Sequence, residues 1–329
     1  MAPSGEIHLA TATDRSYLPW CATGLLSCLR VTPERRLHIH MLHEGTIPLE
    51  DQWRLTRMVE THRGSIEFQL IDPELLATLP TKGRFLGGRI SWARVLLPEI
   101  LPRLDRVIYL DADVLALRSL SPLWAEDLDG AVLGAVRNVV EPAMRPHVAS
   151  LGIADPSSYF NAGVLLFDLA AMRDVQSWRR ISEFVQGVAG PLTWFDQDAL
   201  NVVFAGQWKP LEPRWNVMNS FWGWRDWAID VFGRHPLDEA IREPAILHFE
   251  GPSLCKPWHY LCPHPYRETY LSTLADTPWS AEPLTERTVA TRLIGRLRPD
   301  RRVPAYLKFE GYRDSIRRAG GRAKRVLTR

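Results

Sequence analysis

No stretch of this sequence approaches the ~18 consecutive apolar residues that a membrane-spanning helix needs. Cysteine is scarce. Cys21, Cys28, Cys255 and Cys262 are too few among 329 residues for a disulfide framework. Cys21 and Cys28 stand seven apart in an apolar, helix-like stretch and are expected to face a core. Cys255 and Cys262 lack CxxC spacing, so zinc is not expected from the sequence. There is no Asn-x-Ser/Thr sequon. The opening Met1-Ala2-Pro3-Ser4-Gly5-Glu6 has neither the basic n-region nor the apolar h-region of a signal peptide. Together these absences lead us to expect a cytoplasmic protein. Lysine is rare as well, five against 35 arginines, a bias with no mechanistic content. The 46% hydrophobic and 24% charged residues are ordinary for a globular chain and exclude a disordered or fibrous one. The length suits two domains, or one large α/β domain with a subdomain.

The net charge of +2 conceals an asymmetry. From Arg292 to Arg329 there are 13 Lys or Arg against Asp300, Glu310 and Asp314, a balance of +10, while the remainder carries −8. We therefore expect a body, residues 1–280, followed by a basic tail, residues 281–329. Leu293, Ile294, Leu297, Tyr306, Leu307, Phe309, Tyr312 and Ile316 give that tail enough apolar groups for short amphipathic helices. Such a tail suits an anionic membrane surface, where each basic residue is worth ~1 kcal/mol. It equally suits a solvated tail. The aromatics form no stacking platform for nucleic acid.

The first two-thirds alternates strand and helix. Strands are expected at 7–13, 37–42, 66–71, 106–110, 131–137 and 163–167, with helices at 18–29, 49–61 and 90–101, the last ended or kinked by Pro98. This alternation predicts an α/β fold with a mostly parallel sheet and helices on both faces. The runs at 106–110, 131–137 and 163–167 read as buried parallel strands. Beyond Trp208 the texture turns to loops rich in tryptophan and proline. Residues 245–249 look like one more strand, and 265–274 like a helix.

Val107-Ile108-Tyr109-Leu110 runs straight into Asp111-Ala112-Asp113. A buried strand that ends in two carboxylates presents both at its carboxyl edge, where open α/β sheets bind ligands. An Asp-x-Asp pair there is a hard-oxygen site for Mg²⁺ or Mn²⁺; a strand-end turn with a helix cap is the plainer reading. Further on, His248 stands on an apolar strand ahead of Gly251 and Lys256. Its imidazole could join the metal shell and favour Mn²⁺. Gly251 permits close approach of backbone to a phosphate, and Lys256 brings a point charge.

These pieces, in this order, resemble retaining glycosyltransferases of family 8, the bacterial lipopolysaccharide galactosyl- and glucosyltransferases in particular and glycogenin more distantly. The matching segments are Ala10–Asp14, Trp92-Ala93-Arg94, Tyr109–Asp113, Tyr159–Val164, Asp196-Gln197-Asp198 and His248–Gly251 with Lys256-Pro257-Trp258. The resemblance implies a GT-A fold, a UDP-sugar donor such as UDP-galactose or UDP-glucose, a glycan or lipid-linked acceptor, and Mn²⁺, with Mg²⁺ as the substitute. It assigns Asp111, Asp113 and His248 to the metal, with Ala112 between them beside the donor. Thr11, Ala12, Thr13 and Asp14 would line the uracil and ribose pocket, and Arg94 would touch donor phosphate or sugar. Asn161 would contact sugar or acceptor, and Gly251 and Lys256 would grip the diphosphate. Asp196 and Gln197 would bind the sugar hydroxyls, Gln197 on the β-face of the anomeric carbon. Acidic capping of the following helix is the plainer role for Asp196-Gln197-Asp198.

Three departures stand out. Four residues, Pro252–Cys255, separate Gly251 from Lys256 where the family has two, which changes the angle at which the lysine meets a diphosphate. Arg15 replaces a small amide, and Thr13 an acid of some members. The Trp222-Gly223-Trp224-Arg225-Asp226-Trp227 run reads as a local minicore or as an acceptor platform. Two rival functions remain. A haloacid-dehalogenase-like phosphatase also begins with a strand and Asp-x-Asp, but Leu115 stands where it needs a threonine. A catalytically silent GT-A protein that only binds nucleotide-sugar would be expected to lose Asp111, Asp113, His248 or Gln197.

Overall fold

Apolar runs pair into a seven-stranded sheet and a small three-stranded one. The computed structural model describes residues 5–77, 79–80, 89–188, 192–311 and 313. These fall into two units, Met1–Glu250 with Thr273–Ser280, and Gly251–Ser272 with Ala281–Arg329. In the first unit the strands are β1 (Glu6–Ala12), β2 (Arg36–His43), β3 (Ser65–Leu70), β4 (Arg106–Leu110), β5 (Val114–Ala116), β6 (Leu133–Arg137), β7 (Phe160–Asp168), β8 (Trp208–Pro210), β9 (Val217–Met218) and β10 (Ile246–His248). The large sheet has the order β3-β2-β1-β4-β7-β6-β8, and only β7 runs against the rest. The small sheet has the order β5-β10-β9. This is the α/β, mostly parallel architecture that the alternation predicts.

Two differences from the sequence reading have physical causes. Residues 89–100 form a 3-10 helix, Arg89–Leu96, and one α-turn, Leu97–Ile100, in place of one α-helix. Pro98 has no N–H to bond the carbonyl four residues back, at Arg94, so a regular α-helix cannot run through. Residues 160–168 form an antiparallel strand where a parallel one is expected. An apolar run buried on both sides does not encode its own direction.

Parallel pairing sets what faces what. Leu9 lies opposite Ile108 and Ala10 opposite Tyr109, so the carboxyl ends of β1 and β4 emerge together, carrying Thr11–Asp14 and Asp111–Asp113. Helix α1 (Leu18–Val31) is buried from Leu18 through Leu29, as a helix apolar all round must be. It includes Cys21 and Cys28, both free thiols in the core. Gly24 lets α1 lie against β5, since a Cβ there would sit 2.9 Å from the Val114 carbonyl oxygen. Ser27 Oγ accepts from the Ala116 N–H at 2.9 Å. Helix α2 (Leu49–Thr61) buries only Leu55, Met58 and Val59. The main core lies on one face of the large sheet, where Ala10, Leu42, Val107, Tyr109, Leu133 and Phe167 meet Trp92, Leu96, Leu200 and Phe204.

In the second unit, Leu254, Leu261 and Tyr306 form a small core with Tyr260, Ile294, Val303 and Phe309 packed on it. Helix Val289–Gly295 opens with a capping box made by Thr288 and Thr291, and residues 299–311 are helical. Tyr312 and residues 314–329 of the basic tail, Ile316 among them, lie outside the described residues. Among the described residues no helix is long and apolar enough to cross a membrane.

Candidate active site

Strand β4 ends at Leu110 and delivers Asp111 and Asp113 at the carboxyl edge of the large sheet, with half-buried Ala112 between them. The Asp111 N–H donates to the Gly163 carbonyl at 2.8 Å, which ties the turn to β7. The chain then enters β5, which pairs antiparallel with β10 and sets His248 opposite Val114. The Phe249 N–H closes this pairing on the Asp113 carbonyl at 2.9 Å. His248 Nε2 therefore lies 3.3 Å from Asp113 Oδ1 and 3.7 Å from Asp111 Oδ2. One ligand atom from each of Asp111, Asp113 and His248 falls within 4.8 Å of the others. Two carboxylate oxygens and one imidazole nitrogen make a hard-to-borderline donor set that fits Mg²⁺ or Mn²⁺.

A chain of hydrogen bonds orients the imidazole. The Gly163 N–H donates to Asn161 Oδ1 at 2.9 Å, and Asn216 Nδ2 donates to the same oxygen at 2.8 Å. Asn216 thus turns its Oδ1 to His248 Nδ1, 3.0 Å away. The backbone donor at Gly163 settles both amides, the proton sits on Nδ1, and Nε2 faces the two acids. Burial works against charge on this imidazole, but Asp113 and Asp111 outweigh it and raise its pKa. Gly163 is required sterically as well, because a Cβ there would meet His248 Cε1 at 2.1 Å.

Arg94 is buried, with 6% of its surface exposed. One terminal nitrogen pairs with Asp111 Oδ1 at 2.8 Å, and Nε lies 2.8 Å from Asp196 Oδ2. Its other terminal nitrogen donates to the Ala162 carbonyl, and the guanidinium stacks over Tyr109, 4.6 Å from the ring centroid. Burial opposes the arginine's charge, yet Asp111 and Asp196 hold its pKa above the usual value. Burial pushes the Asp196 carboxyl up to about 6, with Arg94 pulling the other way. Arg94 thus cross-links two acids that the resemblance places at the donor.

Gln197 lies in the first turn of helix Asp196–Val203. The Ala162 N–H donates to its Oε1 at 2.9 Å, and its Nε2 donates to Tyr159 Oη at 3.3 Å. Tyr159 in turn donates to Asp198 Oδ1 at 2.6 Å, and Asp198 Oδ2 meets the Trp194 N–H and His147 Nε2. Burial and then Asp198 push the Tyr159 phenol well above its usual pKa, so it remains a donor. Phe195, just before this helix, has φ +48° and ψ −116°. That conformation costs a β-substituted residue roughly 1–3 kcal/mol. Its ring is buried in the main core, and this packing holds the strained peptide that starts the helix.

Thr11 and Thr13 are buried at the end of β1, and Thr13 N–H donates to the Leu42 carbonyl. Asp14 Oδ1 accepts from Ser16 Oγ at 2.6 Å and from the Tyr17 N–H at 2.9 Å, shaping the entry to α1. Gly251 and Lys256 belong to the second unit. Gly251 has φ +89°, and a 3-10 turn, Ser253–Cys255, fills the longer spacing before Lys256. In the tryptophan-rich stretch, Trp224 is 39% exposed and lies 5.6 Å from Trp227, centroid to centroid. The structure thus gathers Asp111, Asp113, His248, Asn161, Arg94, Asp196 and Gln197 into one network. Sequence reading missed Asn216, Tyr109, Tyr159, Asp198 and His147 as parts of it. Tyr109, Tyr159 and Asp198 stood inside matching segments, whereas Asn216 and His147 carried no signal.

Comparison with known proteins agrees with this geometry. The family model described as Glycosyl transferase family 8 matches residues 8–262. General stress protein A of Bacillus subtilis (strain 168) is 25% identical over 279 residues, 83% of this chain and 95% of that protein. Lipopolysaccharide 1,3-galactosyltransferase of Salmonella typhimurium is 26% identical over 282 residues, 84% of this chain and 80% of that protein. Among solved structures, the galactosyltransferase LgtC in complex with donor and acceptor sugar analogs superposes with a TM-score of 0.71. It is 28% identical, with coverage of 83% of this chain and 96% of that one. The fold is accordingly the GT-A fold of these neighbours, and with more than three-quarters of its length matched the chain belongs to glycosyl transferase family 8 and is a glycosyltransferase.

Proposed function

We propose that this glycosyltransferase moves galactose or glucose from UDP to a glycan or lipid-linked acceptor with retention of configuration. The observation that carries the reading is the convergence of Asp111, Asp113 and His248 at the carboxyl edge of β4. A Mn²⁺ held by these three would neutralise charge on the departing diphosphate. Thr11 to Asp14 line the nucleoside pocket. Arg94, clamped between Asp111 and Asp196, fixes both carboxylates beside donor phosphate and sugar. Asp196, Gln197 and Asn161 hold the sugar hydroxyls or the acceptor and stabilise positive charge at the anomeric carbon. An amide oxygen is a poor nucleophile, and Gln197 Oε1 already accepts from Ala162. We therefore favour front-face attack. The anomeric carbon's bond to the diphosphate oxygen breaks, its bond to the acceptor oxygen forms on the same face, and the departing oxygen takes the acceptor's proton.

The test is UDP release from a panel of UDP-sugars with Mn²⁺, with EDTA and with Asp113→Ala. Metal-dependent hydrolysis of one donor, lost in the variant, is the expected result. Absence of both turnover and UDP binding would overturn the reading.

We further propose that residues 1–280 act as the transferase body and 281–329 as a membrane-surface tail. In support, Val289, Leu293 and Leu297 are exposed, four residues apart, with Arg292, Arg296 and Arg298 between and beside them. Removal of residues 292–329 should release the protein from anionic vesicles, and unchanged binding would rule the tail out as the anchor.

A further inference from the structure

Three histidines converge near the amino-terminal ends of β1 and β2, away from the carboxyl edge that carries Asp111 and Asp113. At about 3.3 Å per residue along a strand, His8 lies roughly 13 Å before the end of β1. The register pairs His8 with His38 and Ala10 with His40. It also pairs His38 with Ser65 and His40 with Glu67. Alternation along the strands then places His8, His38, His40, Ser65 and Glu67 on one face of the sheet.

The contacts are close. Ring centroids are 5.2 Å apart for His8 and His38, 5.4 Å for His8 and His40, and 4.7 Å for His38 and His40. His8 Nδ1 lies 3.1 Å from His40 Nε2. Two nitrogens on one tetrahedral ion, each at about 2.0–2.1 Å, are about 3.3 Å apart. One nitrogen from each of the three rings falls within 4.8 Å of the others. Ser65 Oγ lies 2.9 Å from His38 Nδ1, and His38 Nε2 is 3.4 Å from Glu67 Oε1. A hydroxyl on one imidazole nitrogen while the other faces a shared point is how ligating histidines are oriented. His40 is buried, and its Nδ1 has no hydrogen-bond partner although Glu67 Oε2 stands 3.9 Å away. Glu67, with 56% of its side chain exposed, leaves a way in from solvent.

Three imidazoles gathered together are a poor choice for packing alone, since each brings a polar nitrogen that must be satisfied. They are a good choice for a borderline transition ion. We propose that His8, His38 and His40, with Glu67 on the open side, form a second divalent-cation site that takes Zn²⁺. Its nitrogen-rich donor set selects a different ion from the carboxylate-rich set at Asp111 and Asp113. Bound there, the ion clasps β1, β2 and the edge strand β3 together and stands apart from sugar transfer.

The test uses full-length protein stripped with chelator and titrated with Zn²⁺ alone, with bound metal counted by elemental analysis after desalting. An Asp111→Asn/Asp113→Asn background silences the first site. This background should retain one equivalent of zinc and melt at a higher temperature with it. Co²⁺ in its place should give visible bands of a four-coordinate nitrogen and oxygen site. Adding His38→Gln should abolish that equivalent in a protein that still folds by circular dichroism. If that variant does not fold, Glu67→Gln, altered at an exposed side chain, should weaken zinc binding by about tenfold or more. No zinc retained in the Asp background, zinc retained after His38→Gln in folded protein, or undiminished affinity in Glu67→Gln would each overturn the site.

Discussion

His248 Nδ1 and Asn216 Oδ1 lie 3.0 Å apart, and this one bond decides which imidazole nitrogen faces Asp111 and Asp113. Asn216 is fully buried and also holds Asn161. An Asn216→Ser substitution should leave the fold in place while freeing the ring to rotate. Outer-shell partners of this kind are worth about 10–100-fold in metal affinity. The Mn²⁺ concentration for half-maximal activity should rise by about that factor. A metal titration that superimposes on the wild type would mean that another contact orients His248.

Gly163 bears on the same ring from the other side. A Cβ at this position would lie only 2.1 Å from His248 Cε1, so Gly163→Ala must displace either β7 or the imidazole. Overpacking of this kind costs about 1–3 kcal/mol, and metal-dependent activity should fall with it. Adding His248→Ala should recover much of the lost melting temperature without recovering activity. Failure of the second substitution to restore stability would show that the alanine clashes elsewhere.

How much of this was legible depends on how local each feature is. Asp111 and Asp113 were readable because a short apolar strand runs directly into them, and His248 because it interrupts another. Asn216 was not, since its partners stand 32 and 55 residues away and meet it only through pairing of β9 with β10 and the approach of β7. The direction of β7 was hidden because its apolar run is the same read either way. His38 and His40 alternate visibly along β2, but His8 joins them only through parallel register with β1. The break near Pro98 in the helix expected at 90–101 was legible from the missing N–H, but the 3-10 winding of Arg89–Leu96 ahead of it was not.

Tyr159 contacts Gln197, the residue proposed to face the sugar. Its hydroxyl accepts from Gln197 Nε2 and donates to Asp198. A Tyr159→Phe variant keeps the ring's packing and removes both bonds, leaving Gln197 held by Ala162 alone. We expect kcat to fall by about tenfold, which is about 1.4 kcal/mol, with KM for the donor little changed. A rise in KM at constant kcat would instead make Tyr159 a ground-state binding residue.

The second unit should be sensitive to acid through two histidines whose Nδ1 atoms accept backbone hydrogen bonds. His259 accepts from the Leu261 N–H at 3.0 Å and His264 from the Tyr266 N–H at 3.1 Å. Protonating either Nδ1 would break its bond. Burial lowers both pKa values, that of His264 to about 4. An unfolded histidine titrates near 6.5, so as pH falls below about 6.5 the unfolded chain takes up protons that the folded unit refuses. The stability held by each neutral ring is therefore complete above about pH 6.5 and is lost progressively as pH falls toward the folded value. The slope is at most about 1.4 kcal/mol per pH unit for each ring. Asparagine can offer an acceptor near the Nδ1 position and does not titrate. The protection factors of amides in residues 251–272, taken relative to the intrinsic exchange rate at each pH, should thus fall between about pH 6.5 and about pH 4 in the wild type and much less in His259→Asn/His264→Asn. An equal fall in both proteins would place the acid-sensitive groups elsewhere in the unit.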